Sequence, residues 1–155
     1  MKRISIGFLL TFMLVILFSA CQEYKFMDWK LMNDQWLENF VQTHKNDSDF
    51  HTTSTGLSYK VIHQGYQRKP NVNSYITVRY IGRLIDGSIF DSATTTLSLS
   101  GTIPGWKEGI PKMNNGGTYK FYIPSKLGYD TATTNVLIPP HSVLIFDVNL
   151  LDSYN

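Results

Sequence analysis

The sequence contains a single cysteine, Cys21, so no disulfide can form within the chain and no cysteine-based zinc cluster can be built. No serine–histidine motif or phosphate loop is present, and the lack of a basic stripe argues against a nucleic-acid partner. We therefore predict no metal, no cofactor and no nucleic acid. The four histidines show no metal-ligand spacing and are interpreted as surface or turn residues: His44, His51, His63 and His141.

The first 20 residues have the layout of a secretory signal peptide. Lys2 and Arg3 form a positive start, an apolar run follows from residue 4 to residue 17, and small residues precede Cys21. The run is shorter than the roughly 20 residues that a membrane span needs. Removing the signal takes away two basic residues and no acidic one, which brings the net charge of +2 to zero.

Cys21 lies where the lipobox of bacterial lipoproteins has its cysteine, although Phe18 stands where leucine is usual. This resemblance predicts that cleavage leaves Cys21 as a lipidated N-terminus. Several acyl chains together anchor a protein stably, whereas one chain is marginal. We therefore predict a protein of the bacterial cell envelope, lipid-anchored to a membrane on the periplasmic or outer-membrane side, ahead of simple secretion or a retained anchor.

Apolar residues then recur with helical spacing between residues 26 and 41, which predicts an amphipathic α-helix. Asp28 is the expected N-cap, and the helix is expected to end near Thr43. Its apolar stripe can pack on the domain that follows or form a dimer face, and we favour packing and hence a monomer. The polar segment 44–55 is interpreted as a linker.

From Gly56 the pattern changes to the alternation that is typical of β-strands. Asp86-Gly87 predicts a tight turn, and a short helix is expected after Pro104, limited to about two turns by Pro111. The predicted fold class is α+β, a twisted antiparallel sheet with one short helix on its apolar face and the amphipathic helix before it. The chain thus divides into a signal peptide at 1–20, a tether with helix and linker at 21–55, and a domain at 56–155.

Four short strings in this domain place aromatic residues beside residues that control backbone shape: Val78–Gly82, Asp86–Ser92, Ile103–Gly109 and Ile138–Phe146. For any single aromatic, ordinary core packing is the simpler interpretation. As a group, with several members at strand ends and in loops, they indicate a dry pocket with polar groups at its edge. The inward candidates are Tyr80, Phe90, Ile103, Trp106, Tyr129, Ile138 and Phe146, with Asp91 beside Phe90.

With Gly56–Ile62 ahead of them, these strings resemble those of FKBP-type peptidyl-prolyl cis–trans isomerases from about Gly56 to Leu151. The resemblance implies a sheet half-wrapped around a short helix, with a pocket that takes Xaa-Pro segments of polypeptides and macrolide inhibitors. It implies an isomerase that assists the folding of exported proteins. The alternative is a non-catalytic peptide-binding chaperone or interaction module on the same scaffold.

The resemblance also assigns roles to the aromatic residues of the pocket. Trp106 is expected to form the floor under the proline ring. Tyr80, Phe90 and Phe146 are expected to form the walls.

The same resemblance implies which residues make polar contacts with the substrate and which close the remaining sides of the pocket. Ile103 is expected to offer its backbone N–H, and Tyr129 its hydroxyl, to carbonyl groups of the substrate. Asp91 is expected at the rim, and Ile138 closes one side. Leu97 stands where the family usually has an aromatic residue, so that wall is expected to be thinner.

Overall fold

The computed structural model describes residues 26–132 and 136–154, so the predicted signal peptide and Cys21 lie outside the described residues. Its strands form one six-stranded sheet in the order β1-β2-β5-β6-β3-β4, and every neighbouring pair is antiparallel. This confirms the predicted fold class. The strands are β1 (Phe50–Thr52), β2 (Ser58–His63), β3 (Tyr75–Arg83), β4 (Ile89–Ser98), β5 (Thr118–Ile123) and β6 (Leu144–Tyr154).

In the part of the chain that the structure describes, two α-helices accompany the sheet. Helix α1 comprises residues 26–44, and helix α2 comprises Pro104–Gly109. The 3₁₀ turn Ile110–Lys112, which contains Pro111, follows α2 directly and ends the helical segment where the sequence predicted. Within the described ranges, neither helix is long and apolar enough to cross a membrane.

Helix α2 lies directly on β5 because two of its residues are glycines. A Cβ on Gly105 would come within 2.6 Å of Ile123, and a Cβ on Gly109 would come within 2.6 Å of Phe121. Phe121 and Ile123 are buried on this face, beneath the helix. The glycines therefore let the helix backbone approach the sheet closely, which fixes the height of Trp106 above the strands.

Helix α1 covers the opposite face of the same strand. Tyr122, which alternates with Phe121 and Ile123, is only 6% exposed. Its ring lies 4.3 Å from that of Phe40 and 6.3 Å from that of Trp36. The helix thus packs on its own domain, as the sequence analysis favoured.

The sequence prediction was wrong at the start of α1 and in the segment after it, whereas the helix ends at residue 44, close to the predicted Thr43. Asp28 lies inside the helix, because Phe26 and Met27 are already helical, so it is no N-cap. The segment predicted as a linker contains β1, whose Phe50 is 5% exposed. Burial of this ring against Phe40, at 5.9 Å between centroids, draws the segment into the sheet.

The tight turn between β3 and β4 forms as predicted. Gly87 has a φ of 86°, a conformation that favours glycine. The Asp86 carboxylate accepts hydrogen bonds from the Ser88 hydroxyl at 2.6 Å and from its N–H at 2.9 Å. These bonds favour the charged form and lower the pKa of Asp86 below its usual value.

Candidate functional site

One cavity of about 310 Å³ opens between α2 and strands β3, β4 and β6. Gly101 and Thr102, just ahead of α2, also line it and were not predicted from the sequence. The only feature of the sequence that could have indicated them is their position immediately before Ile103. The predicted site residues that line the cavity are Tyr80, Asp91, Leu97, Ile103, Trp106, Tyr129 and Phe146.

Trp106 is held at the base of the cavity by the first turn of α2. Its backbone N–H donates to the carbonyl of Ile103 at 3.0 Å, and Pro104 at the first helical position suits this start. The indole is 4% exposed and meets the rings of Tyr80 and Phe146 edge to face, at 5.1 and 5.3 Å between centroids. Such aromatic contacts make this end of the cavity dry and rigid.

Phe90 and Ile138 are not among the residues that line the cavity. Phe90 is 7% exposed and meets Phe146 edge to face at 5.4 Å, so it supports the wall from behind. Ile138 is 3% exposed and belongs to the hydrophobic core. Both side chains therefore belong to the hydrophobic core and not to the lining of the cavity.

Polar groups gather at the open side of the cavity. The Tyr80 hydroxyl donates to Asp91 Oδ2 at 2.7 Å. Burial, reinforced by the hydrogen bond to Asp91, raises the pKa of Tyr80 above its usual value. Burial and the charge of Asp91 also raise the pKa of Tyr129, which is 37% exposed. Both hydroxyls are therefore neutral hydrogen-bond donors at physiological pH.

The remaining wall is apolar. Leu97 lies near the end of β4, opposite Ile76 of β3, and packs against the core while lining the cavity. The cavity thus combines a buried indole, an aliphatic and aromatic lining and hydroxyl donors on one side. It offers no nucleophile paired with a base, so the arrangement suits binding and distortion of a small apolar group rather than bond cleavage.

The chain is similar in sequence to several known proteins. A family profile described as FKBP-type peptidyl-prolyl cis-trans isomerase matches residues 66–151. The chain is 43% identical over 106 residues to FKBP-type peptidyl-prolyl cis-trans isomerase FkpA of Escherichia coli (strain K12), covering 65% of this chain and 39% of the relative. It is 34% identical over 117 residues to Outer membrane protein MIP of Legionella longbeachae, covering 72% and 50% respectively.

The same similarity extends to a solved structure. The crystal structure of FkpA from Escherichia coli matches with a TM-score of 0.81 and 30% sequence identity, covering 98% of this chain and 74% of that one. Against the two curated relatives, the chain spans half of their length or less.

Proposed function

The chain belongs to the FKBP-type peptidyl-prolyl cis–trans isomerase family, and we propose that it catalyses cis–trans exchange at Xaa-Pro bonds of polypeptides in the bacterial cell envelope. The observation that carries this proposal is the cavity over Trp106, which is lined by aromatic and aliphatic side chains and bordered by the Tyr80–Asp91 pair. Its volume of about 310 Å³ suits a group as small as a proline ring.

The chemistry requires no covalent step. Rotation about a peptide bond is opposed by its partial double-bond character, with a barrier of about 18–20 kcal/mol. The twisted amide has lost this resonance, so its carbonyl carries less negative charge than in the planar form. A dry pocket therefore favours the twisted amide over the planar one, which is transition-state complementarity.

Hydrogen-bond donors at the rim act on the same transition state. The Ile103 N–H and the Tyr129 hydroxyl hold carbonyl groups of the substrate, so the chain on one side of the bond cannot follow the rotation. Asp91 keeps the Tyr80 ring oriented as a wall through its 2.7 Å hydrogen bond. Donors that are already in place when the substrate arrives need little reorganisation during rotation. Macrolide inhibitors occupy the same pocket in this proposal.

The substrates are unfolded or folding polypeptides that reach the envelope. The signal-like N-terminus and Cys21 support this location, as does the relative named Outer membrane protein MIP. In this proposal Cys21 carries the lipid anchor, and the packing of α1 on its own domain supports a monomer. Mass spectrometry of the N-terminal peptide from membrane-extracted protein tests the anchor. An unmodified Cys21 would contradict the proposed lipidation.

An exchange assay on short Xaa-Pro peptides, with the residue before proline varied, tests the activity. We expect the protein to accelerate exchange and Phe146→Ala to reduce kcat/KM at least about tenfold, because Phe146 contacts both Trp106 and Phe90. Leu151→Ala is the matched control, since Leu151 lies on the same strand and is 43% exposed.

Asp91 is tested in the same assay by two substitutions. Asp91→Leu removes the acceptor of the Tyr80 hydroxyl and should strongly reduce catalysis. Asp91→Asn keeps an acceptor oxygen and should reduce catalysis less than Asp91→Leu does. If the folded wild-type protein accelerates no peptide but still binds them, the non-catalytic peptide-binding alternative replaces the isomerase.

A further inference from the structure

A buried asparagine connects α1 to the segment that precedes β6. Asn33 is fully buried, although the rest of the helix presents aromatic side chains to the domain. Its Nδ2 donates to the carbonyl of Trp29 at 2.8 Å, and its Oδ1 accepts the N–H of Val143 at 2.8 Å. An apolar side chain here would leave the Val143 N–H buried without a partner, so the contact specifies one position of the segment.

Trp29, one turn earlier on the same helix, contacts the same segment. Its indole N–H donates to Ser142 Oγ at 2.9 Å, and the Ser142 hydroxyl donates to the carbonyl of Pro139 at 2.6 Å. Two side chains on one face of α1 thus hold the segment 139–143 through two hydrogen bonds, and the bond from Ser142 to Pro139 continues the network within the segment.

This segment is in turn bonded to the rim of the cavity. The N–H of His141 donates to the carbonyl of Asp130 at 2.6 Å, and Asp130 directly follows Tyr129. The Asp130 carboxylate also lies 3.8 Å from His141 Nδ1. On its other side the segment enters β6, which carries Phe146. The contacts of α1 are therefore linked, through this segment, to the residue after Tyr129 and to the strand that carries Phe146.

The junction between segment and rim is conformationally strained. Asp130 has a φ of 49° and His141 a φ of 64°, values that non-glycine residues adopt uncommonly. Such conformations persist only where the surrounding structure determines them. The hydrogen bonds from α1 to the residues next to His141 provide such a determinant.

We propose that Asn33 and Trp29 are positioning residues for the Tyr129 side of the pocket. They act through residues 139–143 and hold the Tyr129 hydroxyl where it meets the substrate carbonyl. This inference rests on the proposed function, and it makes α1 a part of the isomerase site rather than a spacer ahead of the domain.

Kinetics on the full chain test the proposal with Asn33→Ala and Trp29→Phe, the second of which removes the indole N–H and keeps a smaller aromatic ring at this position. We expect each to lower kcat/KM about fivefold at a temperature where the protein is fully folded. Gln35→Ala, an exposed position on the same helix, should leave it unchanged. In a Tyr129→Phe background the loss from Trp29→Phe should largely disappear, because both changes act on one hydroxyl. Losses that add fully in the double variant would overturn the proposal.

Backbone amide NMR spectra separate this inference from the proposed function. Trp29→Phe and Asn33→Ala should shift the signals of Tyr129 and Asp130 in the folded protein, whereas Gln35→Ala should not. Unchanged Tyr129 and Asp130 signals would overturn the positioning role whether or not the protein is an isomerase. Absence of any wild-type acceleration would instead overturn the proposed function, and the spectra would still decide this inference.

Discussion

At the scale of single residues, Gly82 shows how strictly the pocket wall is packed. It lies on β3 opposite Phe146 of β6. A Cβ at this position would come within 2.6 Å of the Phe90 ring and 2.9 Å of the Phe146 ring. Both rings are buried and in contact with each other, so neither can move without displacing its neighbours.

Gly82→Ala is therefore expected to destabilise the fold by about 1–3 kcal/mol, the usual cost of overpacking, and to lower catalysis by moving Phe146. Urea unfolding measures the first effect. Gly101→Ala is the control for stability, because its added Cβ meets nothing within 4 Å and should change the free energy of unfolding by less than about 0.5 kcal/mol. Equal free energies of unfolding for the Gly82→Ala and Gly101→Ala variants would contradict this packing.

Residue positions in the site were predicted where a local motif specified them. Trp106 is set by the Pro104 start of α2, and Asp91 by its place after Phe90, so both were found from the sequence. The burial of Phe90 behind Phe146 depends on contacts between distant strands, which no local pattern contains. The buried Asn33 was missed for the same reason, since its partner Val143 is far away in sequence.

At the scale of elements, α1 and β1 depend on each other. The ring of Phe40 lies 4.3 Å from that of Tyr122, and Phe50 of β1 lies 6.1 Å from Tyr122. Strand β1 has three residues, too few for an alternating pattern, and its one buried aromatic is covered by the helix. The sequence therefore predicted the helix from its periodicity but not the strand that it buries.

Phe40→Ala removes the centre of this cluster and is expected to lower the free energy of unfolding by about 2–3 kcal/mol, less than for a fully buried ring because Phe40 is partly exposed. Gln42→Ala, an exposed position on the same helix, should change it by less than about 0.5 kcal/mol. Denaturant unfolding followed by tryptophan fluorescence compares the two. A Phe40→Ala protein as stable as wild type would mean that α1 does not pack on the sheet in solution.

At the scale of the whole molecule, several tyrosines share one electrostatic property. Burial raises the pKa of each of them, and it raises that of Tyr122 to about 12. In the unfolded chain these groups ionise near pH 10, so above that pH the folded state holds more protons than the unfolded state. Stability that is fully present below about pH 10 is then lost as the pH rises toward 12. The group comprises Tyr59, Tyr80, Tyr119, Tyr122 and Tyr129.

We therefore expect the free energy of unfolding to be lower at about pH 11 than at about pH 9. Tyr122→Phe should make the difference smaller, because it removes a raised pKa and keeps the ring in its cluster with Phe40. Denaturant unfolding at both pH values measures the effect. Equal stability of the wild-type protein at the two pH values would show that these hydroxyls are not buried as described.

The central claim is that the cavity over Trp106 accelerates rotation about Xaa-Pro bonds. Exchange NMR on a proline peptide, with the protein present in catalytic amount, measures the cis-to-trans rate and the cis:trans ratio together. We predict a faster exchange rate with an unchanged ratio, and loss of the acceleration in a folded Phe146→Ala variant. Exchange at the uncatalysed rate in the presence of folded wild-type protein would contradict the account.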